Sequence, residues 1–215
     1  MSEQRFKMGE AISFGWKTMK ENIGFFIALL IIAFLIENVP GAIAEYAGEE
    51  FPLISFVLLF TGLVLGFVVQ IGLIKISLQF CDGIKGKLDD LLSSFDILLP
   101  FIAASFLYAL IIFGGFLLLI VPSIIWSIQF GLYPYFIVEK KLGPIEALKA
   151  SSRATMGAKW DLLLFWLVIV LINIAGFFVF VVGLFATIPT SMVAYAYVYR
   201  KLAEKLDPPG LTYEV

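Results

Sequence analysis

The chain has 215 residues, of which 61% are hydrophobic, 16% aromatic and only 15% charged, with a net charge of −2. Soluble domains are about 45–50% apolar and about 25% charged, so this composition excludes an ordinary water-soluble fold and predicts an integral membrane protein. With no histidine and one cysteine, the chain cannot build a histidine-based catalytic or metal site or an intramolecular disulfide, and its near-neutral charge argues against a nucleic-acid partner.

The N-terminal segment mixes charged and polar residues ahead of the first apolar run, so we expect no cleavable signal peptide. A short amphipathic helix is predicted next, from apolar residues at helical spacing: Met8, Ile12, Trp16 and Met19. The first apolar run, 23–36, extends to Asn38 and ends before Pro40 and Gly41. We interpret it as a first membrane crossing.

The remaining apolar stretches are 51–80, 96–138 and 160–199. A helix crosses a bilayer with about 20 residues, so each of the last two stretches is long enough for two crossings. Turn signals lie near their midpoints, at Val121-Pro122-Ser123 and from Gly183 to Pro189. The sequence therefore predicts six transmembrane helices in three hairpins, with Pro134 bending the fourth helix near its inner end.

The basic residues give this arrangement an orientation. All 15 fall within four segments, 5–20, 75–87, 140–159 and 200–205. With six crossings and both termini in the cytoplasm, these segments share one side of the membrane, as the positive-inside rule requires. The one sizeable outer loop contains no Lys or Arg and carries four acids, Glu37, Glu45, Glu49 and Glu50.

Two further cytoplasmic segments repeat the amphipathic pattern of the first. Their apolar residues are Leu88, Leu91, Leu92 and Phe95 in one, and Ile145, Leu148 and Met156 in the other. Such helices lie flat in the membrane interface or pack beneath the bundle, and the pattern favours the interface.

A weak internal repeat accompanies these segments. Gln70-Ile71-Gly72-Leu73 matches Gln129-Phe130-Gly131-Leu132, and both tetrapeptides lie in the second helix of a hairpin. We interpret the chain, 1–215, as a single integral membrane domain with repeat units at about 5–80, 86–138 and 144–205. Parallel repeats of this kind fit a central cavity or pore, and equally a closely packed bundle.

Polar residues inside the spans are the candidates for function. No carboxylate lies deep in a span, and the candidate intramembrane polar layer is Gln70, Gln129 and Asn173, with Gln70 and Gln129 expected to face a common interior. The candidate aromatic residues at the interface are Tyr133, Tyr135 and Trp16. Hydrogen bonding between helices is the alternative role of the amides. No catalytic residue, metal ligand or cofactor is predicted.

One stretch resembles a known family. Pro122-Ser123-Ile124-Ile125, the Tyr133–Tyr135 helix end, Glu146–Ser151 and Pro189–Leu202 are similar to features of a poorly characterised prokaryotic family of six-helix membrane proteins. A similar domain forms the membrane part of some glycerophosphodiester phosphodiesterases. The resemblance is clearest over about 100–205, and Ser123 stands where glycine is usual. The resemblance implies a multi-pass protein of a prokaryotic cytoplasmic membrane. It does not imply phosphodiesterase activity, because the fused catalytic domain uses histidine and this chain has none.

The sequence therefore predicts an all-α membrane protein of six transmembrane helices, arranged as three hairpins that each follow a short cytoplasmic amphipathic helix. Its expected role is a non-enzymatic scaffold, accessory subunit or lipid-interacting protein, with membrane lipids and either a protein partner or further copies of itself as partners. The alternative is a passive transporter or channel-like protein for a small or lipidic molecule. A membrane-embedded enzyme is disfavoured, because the catalytic groups are missing.

Overall fold

A computed structural model describes residues 6–179 and 182–206, with the side chain of Glu49 excepted. These residues form nine α-helices and three short 3-10 helices, with no strand among them. The α-helices are α1 (Met8–Glu21), α2 (Ile23–Ala47), α3 (Pro52–Cys81), α4 (Leu98–Leu118), α5 (Ile120–Phe130), α6 (Tyr133–Lys140), α7 (Pro144–Ala154), α8 (Lys159–Phe178) and α9 (Leu184–Ala203). Arg5, the first basic residue of the predicted N-terminal segment, lies outside the described residues.

Five helical segments are long and apolar enough to cross a membrane. They are Ile23–Ala47, Pro52–Cys81, Leu88–Leu118, Ile120–Lys140 and Lys159–Phe178. Only 17–28% of the most apolar stretch of each segment is buried within the protein, which is tolerable only where lipid replaces water as the solvent. The chain is therefore a membrane protein, as its composition predicts. α9 has 20 residues but carries more polar side chains and is not among the five.

Three pairs of consecutive helices contact each other in antiparallel directions. In each pair one contact lies near the connecting turn and another lies far from it. Between α2 and α3, Ser55 Oγ donates to Ala44 O at 2.9 Å, and the ring centroids of Phe26 and Phe80 are 5.0 Å apart. Between α4 and α5, Ser123 Oγ donates to Ile112 O at 3.3 Å, and Tyr108 OH donates to Ser127 O at 3.2 Å. Between α8 and α9, Asn173 Nδ2 donates to Ser191 Oγ at 2.8 Å, and the ring centroids of Phe165 and Tyr195 are 5.0 Å apart.

Two prolines lie inside helices where the sequence predicts an end or a turn. α2 continues through Pro40 to Ala47, and α9 already begins at Leu184, so that Pro189 is within it. A proline inside a helix removes one backbone hydrogen bond, which neighbouring helices can compensate within a membrane. Pro40 lies beside Gly62 of α3, where even an added Cβ would meet the proline ring only in ordinary van der Waals contact.

The other two predicted interruptions are present. α4 and α5 are separated at Leu119, which has an extended backbone (φ −178°, ψ 162°), and Pro122 follows in the first turn of α5. α5 ends at Phe130, and α6 begins at Tyr133 with Pro134 in its first turn. Proline is well placed in a first turn because its missing N–H has no helical acceptor there. The fourth apolar stretch is thus interrupted near Pro134, where the sequence predicts a bend.

The second predicted amphipathic helix is wrong in type. The chain forms 3-10 turns at Leu88–Leu92 and Phe95–Ile97 in place of an α-helix. The Asp90 carboxylate accepts a hydrogen bond from the backbone N–H of Lys87 at 3.2 Å, and Ser93 Oγ donates to Asp90 O at 3.1 Å. Short polar side chains that bond the local backbone in this way compete with α-helix formation.

The other two amphipathic helices form, but of the predicted apolar residues they bury only Met19 and Leu148. α1 buries Ala11, Gly15, Thr18 and Met19, and α7 buries Ala147, Leu148, Ala150, Ser151 and Ala154. Trp16, Ile145 and Met156 are instead exposed. Small residues therefore face the bundle, and several of the larger apolar residues face outward.

The buried core lies towards one end of the bundle, and α9 runs through it. Ten residues of α9 are buried, from Pro189 to Ala203, and they contact α1 and α3. The buried residues of α3 lie between Val68 and Phe80, in its C-terminal half. At the other end of the helices the large apolar residues 116–121 are exposed. The bundle is tightly packed where the chain carries its charges and loosely packed at the opposite end.

Candidate functional site

An apolar crevice of about 370 Å³ lies between α4, α5, α8 and α9. α5 contributes most of one wall and α8 most of the facing wall. The lining residues are Tyr108, Ile124, Ser127, Ile128, Gly131, Leu132, Leu162, Leu163, Trp166 and Tyr195. Apart from two tyrosine hydroxyls, one serine and the indole N–H of Trp166, the lining side chains are apolar, so the crevice suits a ligand with a large apolar part.

A second hollow adjoins the crevice at Tyr108, which lines both. It has a volume of about 460 Å³ and follows the groove between α4 and α5 towards Phe116 and Ser123. Eight residues separate Tyr108 from Phe116, which is about 12 Å along a helix. The two hollows together form an apolar groove along α4 and α5.

The mouth of the crevice is flanked by apolar side chains. Trp166 and Ile124 line it and are 51% and 44% exposed, and the neighbouring Leu167 and Ile125 are exposed as well. In a membrane protein such residues face lipid. The crevice therefore opens sideways from the bundle.

A polar corner joins α5 to α7 and to the start of α8. Gln129 Nε2 donates to Ser152 Oγ at 2.7 Å, and Lys159 Nζ donates to Gln129 Oε1 at 2.7 Å. The Gln129 carbonyl accepts hydrogen bonds from Ser151 Oγ and Thr155 Oγ1, each at 3.0 Å. This carbonyl lies at the end of α5, where no further helical N–H groups are available as donors, and the hydroxyls of Ser151 and Thr155 take their place.

The polar corner lies beside the inner end of the crevice. Ile128 and Gly131 of the crevice wall flank Gln129 in sequence. On α8, Leu162 and Leu163 follow Lys159 by three and four residues, which places them on the same face of the helix. The crevice thus has an apolar body and a cationic group next to one end.

A charged cluster at the same end of the bundle joins three helices. Arg200 of α9 forms an ion pair with Asp82, which follows α3, at 2.6 Å, and another with Glu139 of α6. Lys75 of α3 pairs with Asp90 at 2.9 Å. These pairs connect residues that are separated in sequence, so the sequence alone does not predict them. The only signal available was the shared location of Asp82, Glu139 and Arg200 at predicted helix ends.

The structure does not bring the three predicted intramembrane amides together. Gln70 is exposed on α3, whereas Gln129 is half-buried in the polar corner, so the two do not face a common interior. Asn173 lies between α8 and α9, where Nδ2 donates to Ser191 Oγ at 2.8 Å and to Ile169 O at 2.9 Å. Gln129 and Asn173 thus bond neighbouring helices, the structural alternative considered for these amides.

The predicted aromatic residues also occupy separate places. Tyr133 is buried, and its hydroxyl donates to Ser105 Oγ at 2.9 Å. Tyr135 stacks on Tyr199 with ring centroids 5.2 Å apart. Trp16 is 44% exposed on α1, and the Lys20 ammonium lies 5.7 Å from its ring centroid. Among the described residues, no cluster of three or more Cys, Asp or Glu side chains has a geometry that could hold a metal ion.

Two mycobacterial proteins are similar to this chain over most of its length. One is from Mycobacterium bovis and the other from Mycobacterium tuberculosis, and each carries the description "uncharacterized protein". Each is 22% identical to the chain over an alignment of 225 residues, which covers 92% of this chain and 69% of the relative. No family model matches the chain. No solved structure matches it either.

Proposed function

We propose that the chain crosses the cytoplasmic membrane of a prokaryote six times, as three hairpins with both termini in the cytoplasm. The pairs α2–α3, α4–α5/α6 and α8–α9 are the hairpins. α9 is the sixth crossing, because Arg200 near its C-terminal end pairs with Asp82 after α3 and with Glu139 of α6. Protein surrounds much of α9, which explains why it needs fewer apolar residues than a lipid-exposed helix.

The charge distribution supports this orientation. The Lys75–Asp90, Lys141–Asp96 and Arg200–Asp82 pairs all lie at the ends of helices that the hairpins bring together. The positive-inside rule assigns this end to the cytoplasm. The same topology is what the family resemblance of residues 100–205 implies.

We further propose that this is a non-enzymatic, lipid-interacting membrane protein, whose crevice between α5 and α8 holds an apolar chain of a membrane lipid. The observation that carries the proposal is the crevice itself, which is apolar in lining and flanked at its mouth by exposed Ile124 and Trp166. A lipid chain can enter such a crevice from the bilayer without first crossing water. A scaffold or accessory role is compatible with this proposal, because a partner protein could contact the bound lipid together with the surrounding protein surface.

Passive transport is the alternative function and predicts a different interior. A route for a polar solute needs polar groups along its length, whereas the two hollows described here have few of them. Transport of a lipidic molecule would use the same crevice, so binding of an apolar chain is the first step to test.

The test is to extract the full chain from its native membrane in a mild detergent and to identify the retained lipids by native mass spectrometry. Leu163 lines the crevice, and Leu163→Trp should fill it. Leu164→Trp is the matched control, because Leu164 is its neighbour on α8, is exposed and does not line the crevice. We expect one lipid class to remain with the wild-type chain and with Leu164→Trp, and to be lost from Leu163→Trp.

Equal lipid retention by all three proteins would contradict the proposal. The thermal unfolding midpoint of each variant shows whether it is folded. Should Leu163→Trp unfold, Ile128→Trp in the facing wall repeats the test from α5.

A further inference from the structure

Three cations lie around the polar corner at the inner end of the crevice. Lys159 bonds Gln129, which bonds Ser152 of α7. On α7, Lys149 and Arg153 are exposed; Lys149 lies three residues before Ser152 and four before Arg153, so it shares a helix face with each of them. Lys149 thus shares a helix face with the serine that anchors the corner, and Arg153 directly follows that serine.

These cations have no acidic partners within residues 6–179 and 182–206. The basic side chains at this end of α3, α6 and α9, Lys75, Lys141 and Arg200, each pair with an aspartate. In the described part of the chain no carboxylate lies within salt-bridge distance of Lys149, Arg153 or Lys159, and Asp161, on the first turn of α8, forms no ion pair with them. Three basic side chains without an ion pair among the described residues therefore lie on α7 and at the start of α8, the helix that forms one wall of the apolar crevice.

The depth of this corner matches a lipid headgroup. Trp160, next to Lys159, is 78% exposed at the start of α8, and Met156 is exposed just after α7. Tryptophan side chains concentrate at the level of the headgroups, where one part of the ring system meets water and another meets acyl chains. In the proposed topology this level belongs to the cytoplasmic leaflet.

We propose that the site binds an anionic phospholipid of the cytoplasmic leaflet. One acyl chain lies in the crevice between α5 and α8, and the phosphate lies against Lys159 and Arg153, with Lys149 adding charge nearby. Lysine and arginine are the side chains that recognise phosphate groups, and each one near a membrane surface strengthens the binding of anionic lipid. This inference rests on the proposed lipid-binding function and adds the headgroup class and the residues that select it.

The test compares two phospholipids that share the same acyl chains, phosphatidylglycerol and phosphatidylcholine. The purified full chain is delipidated, each lipid is titrated in, and bound lipid is counted by native mass spectrometry. The wild-type chain should bind phosphatidylglycerol more tightly. In the double variant Arg153→Gln, Lys159→Gln, the ratio of phosphatidylglycerol affinity to phosphatidylcholine affinity should fall about fivefold for each cation removed. Phosphatidylcholine binding itself should be unchanged.

The control variant removes two cations elsewhere at the same end of the protein. Lys20→Gln, Lys85→Gln changes the net charge equally, since both lysines are exposed and lie away from the corner. It should keep the wild-type preference. Glutamine at position 159 can still donate to Gln129, so the corner retains its hydrogen bond. The comparison of two lipids on the wild-type chain needs no variant and therefore does not depend on folding of a mutant.

The outcomes separate the two proposals. Equal binding of both lipids by the wild-type chain, with loss of both in Leu163→Trp, overturns the headgroup assignment and leaves the lipid-binding function in place. If the double variant still prefers phosphatidylglycerol, Lys159 and Arg153 do not select the headgroup. The same conclusion follows if the control variant loses the preference as much as the double variant does. Binding that Leu163→Trp does not reduce overturns the crevice as the site and the proposed function with it.

Discussion

Arg200 shows how one side chain can fix the end of a bundle. Its guanidinium reaches Asp82 after α3 and Glu139 of α6, and only a quarter of the side chain is exposed. A partly buried carboxylate is costly once its partner is removed, because water cannot fully replace the lost charge. The two carboxylates therefore depend on a residue far from them in sequence.

Arg200→Gln should lower the free energy of unfolding by about 1–3 kcal/mol, since it leaves Asp82 and Glu139 without a cation. The measurement is the thermal unfolding midpoint of the purified protein in detergent. Lys201→Gln is the control, because Lys201 forms an exposed pair with Glu204 that should contribute less than about 1 kcal/mol. Glu139→Gln in the Arg200→Gln background should restore part of the loss. Equal midpoints for Arg200→Gln and Lys201→Gln would contradict this role.

At the scale of the helix, α1 shows what separates an amphipathic pattern from a packing surface. The predicted apolar face includes Trp16, yet the buried residues of α1, which packs on α9, include Ala11 and Gly15. A side chain at Gly15 would collide with the backbone of Thr190 and approach Ala194. α1 and α9 therefore cross at a distance that only glycine permits, as in other closely packed membrane helices.

Gly15→Ala should destabilise the protein by about 1–3 kcal/mol, because the added methyl group forces α1 away from α9. Gly9→Ala is the matched control on the same helix, since no atom lies within 4 Å of its added methyl group. Alanine there should be neutral or stabilising by up to about 1 kcal/mol through helix propensity. Thermal unfolding in detergent compares the two variants. A Gly15→Ala protein as stable as Gly9→Ala would show that the crossing is looser than described.

The contacts of the short helices add support to the proposed repeat. α9 contacts α1, α3 contacts the turn at 88–92, and α5 contacts α7. In the first two hairpins, the second helix contacts the short segment that precedes the next hairpin. In the last hairpin, the second helix contacts α1, the short segment that precedes the first hairpin. A threefold arrangement of repeats predicts this cyclic order of contacts.

At the scale of the whole molecule, six crossings make a definite prediction about which residues face which side. In a Cys81→Ser background, an impermeant maleimide added to intact cells should label Glu45→Cys and should not label Lys85→Cys or Lys201→Cys. Lysed cells are the control, since all three should then react. Labelling of Lys201→Cys from outside would mean that α9 does not cross, as in a topology limited to the five most apolar helices.

Much of the architecture could be predicted from the sequence, and the reasons are physical. Apolar length predicts the membrane helices, and the prolines at 122 and 134 predict the breaks near Leu119 and Leu132. Pro40 was misleading because a membrane helix can absorb a proline that would end a helix in water. Gln129 was recognised as a candidate, but its partner Lys159 is 30 residues away, and only the folded chain places them together.

The uneven packing of the bundle bears on how the protein fits bilayers of different thickness. The helices are held firmly at the charged end, around Tyr199 and Phe136, whereas the apolar tips near Leu118 and Phe178 have few protein neighbours. A mismatch between helix length and hydrocarbon thickness is absorbed by tilting, which is easiest where helices are free of one another. We therefore expect the apolar tips to tilt outward in a thinner bilayer and to stand closer to the membrane normal in a thicker one. The crevice near the charged end should keep its shape in both.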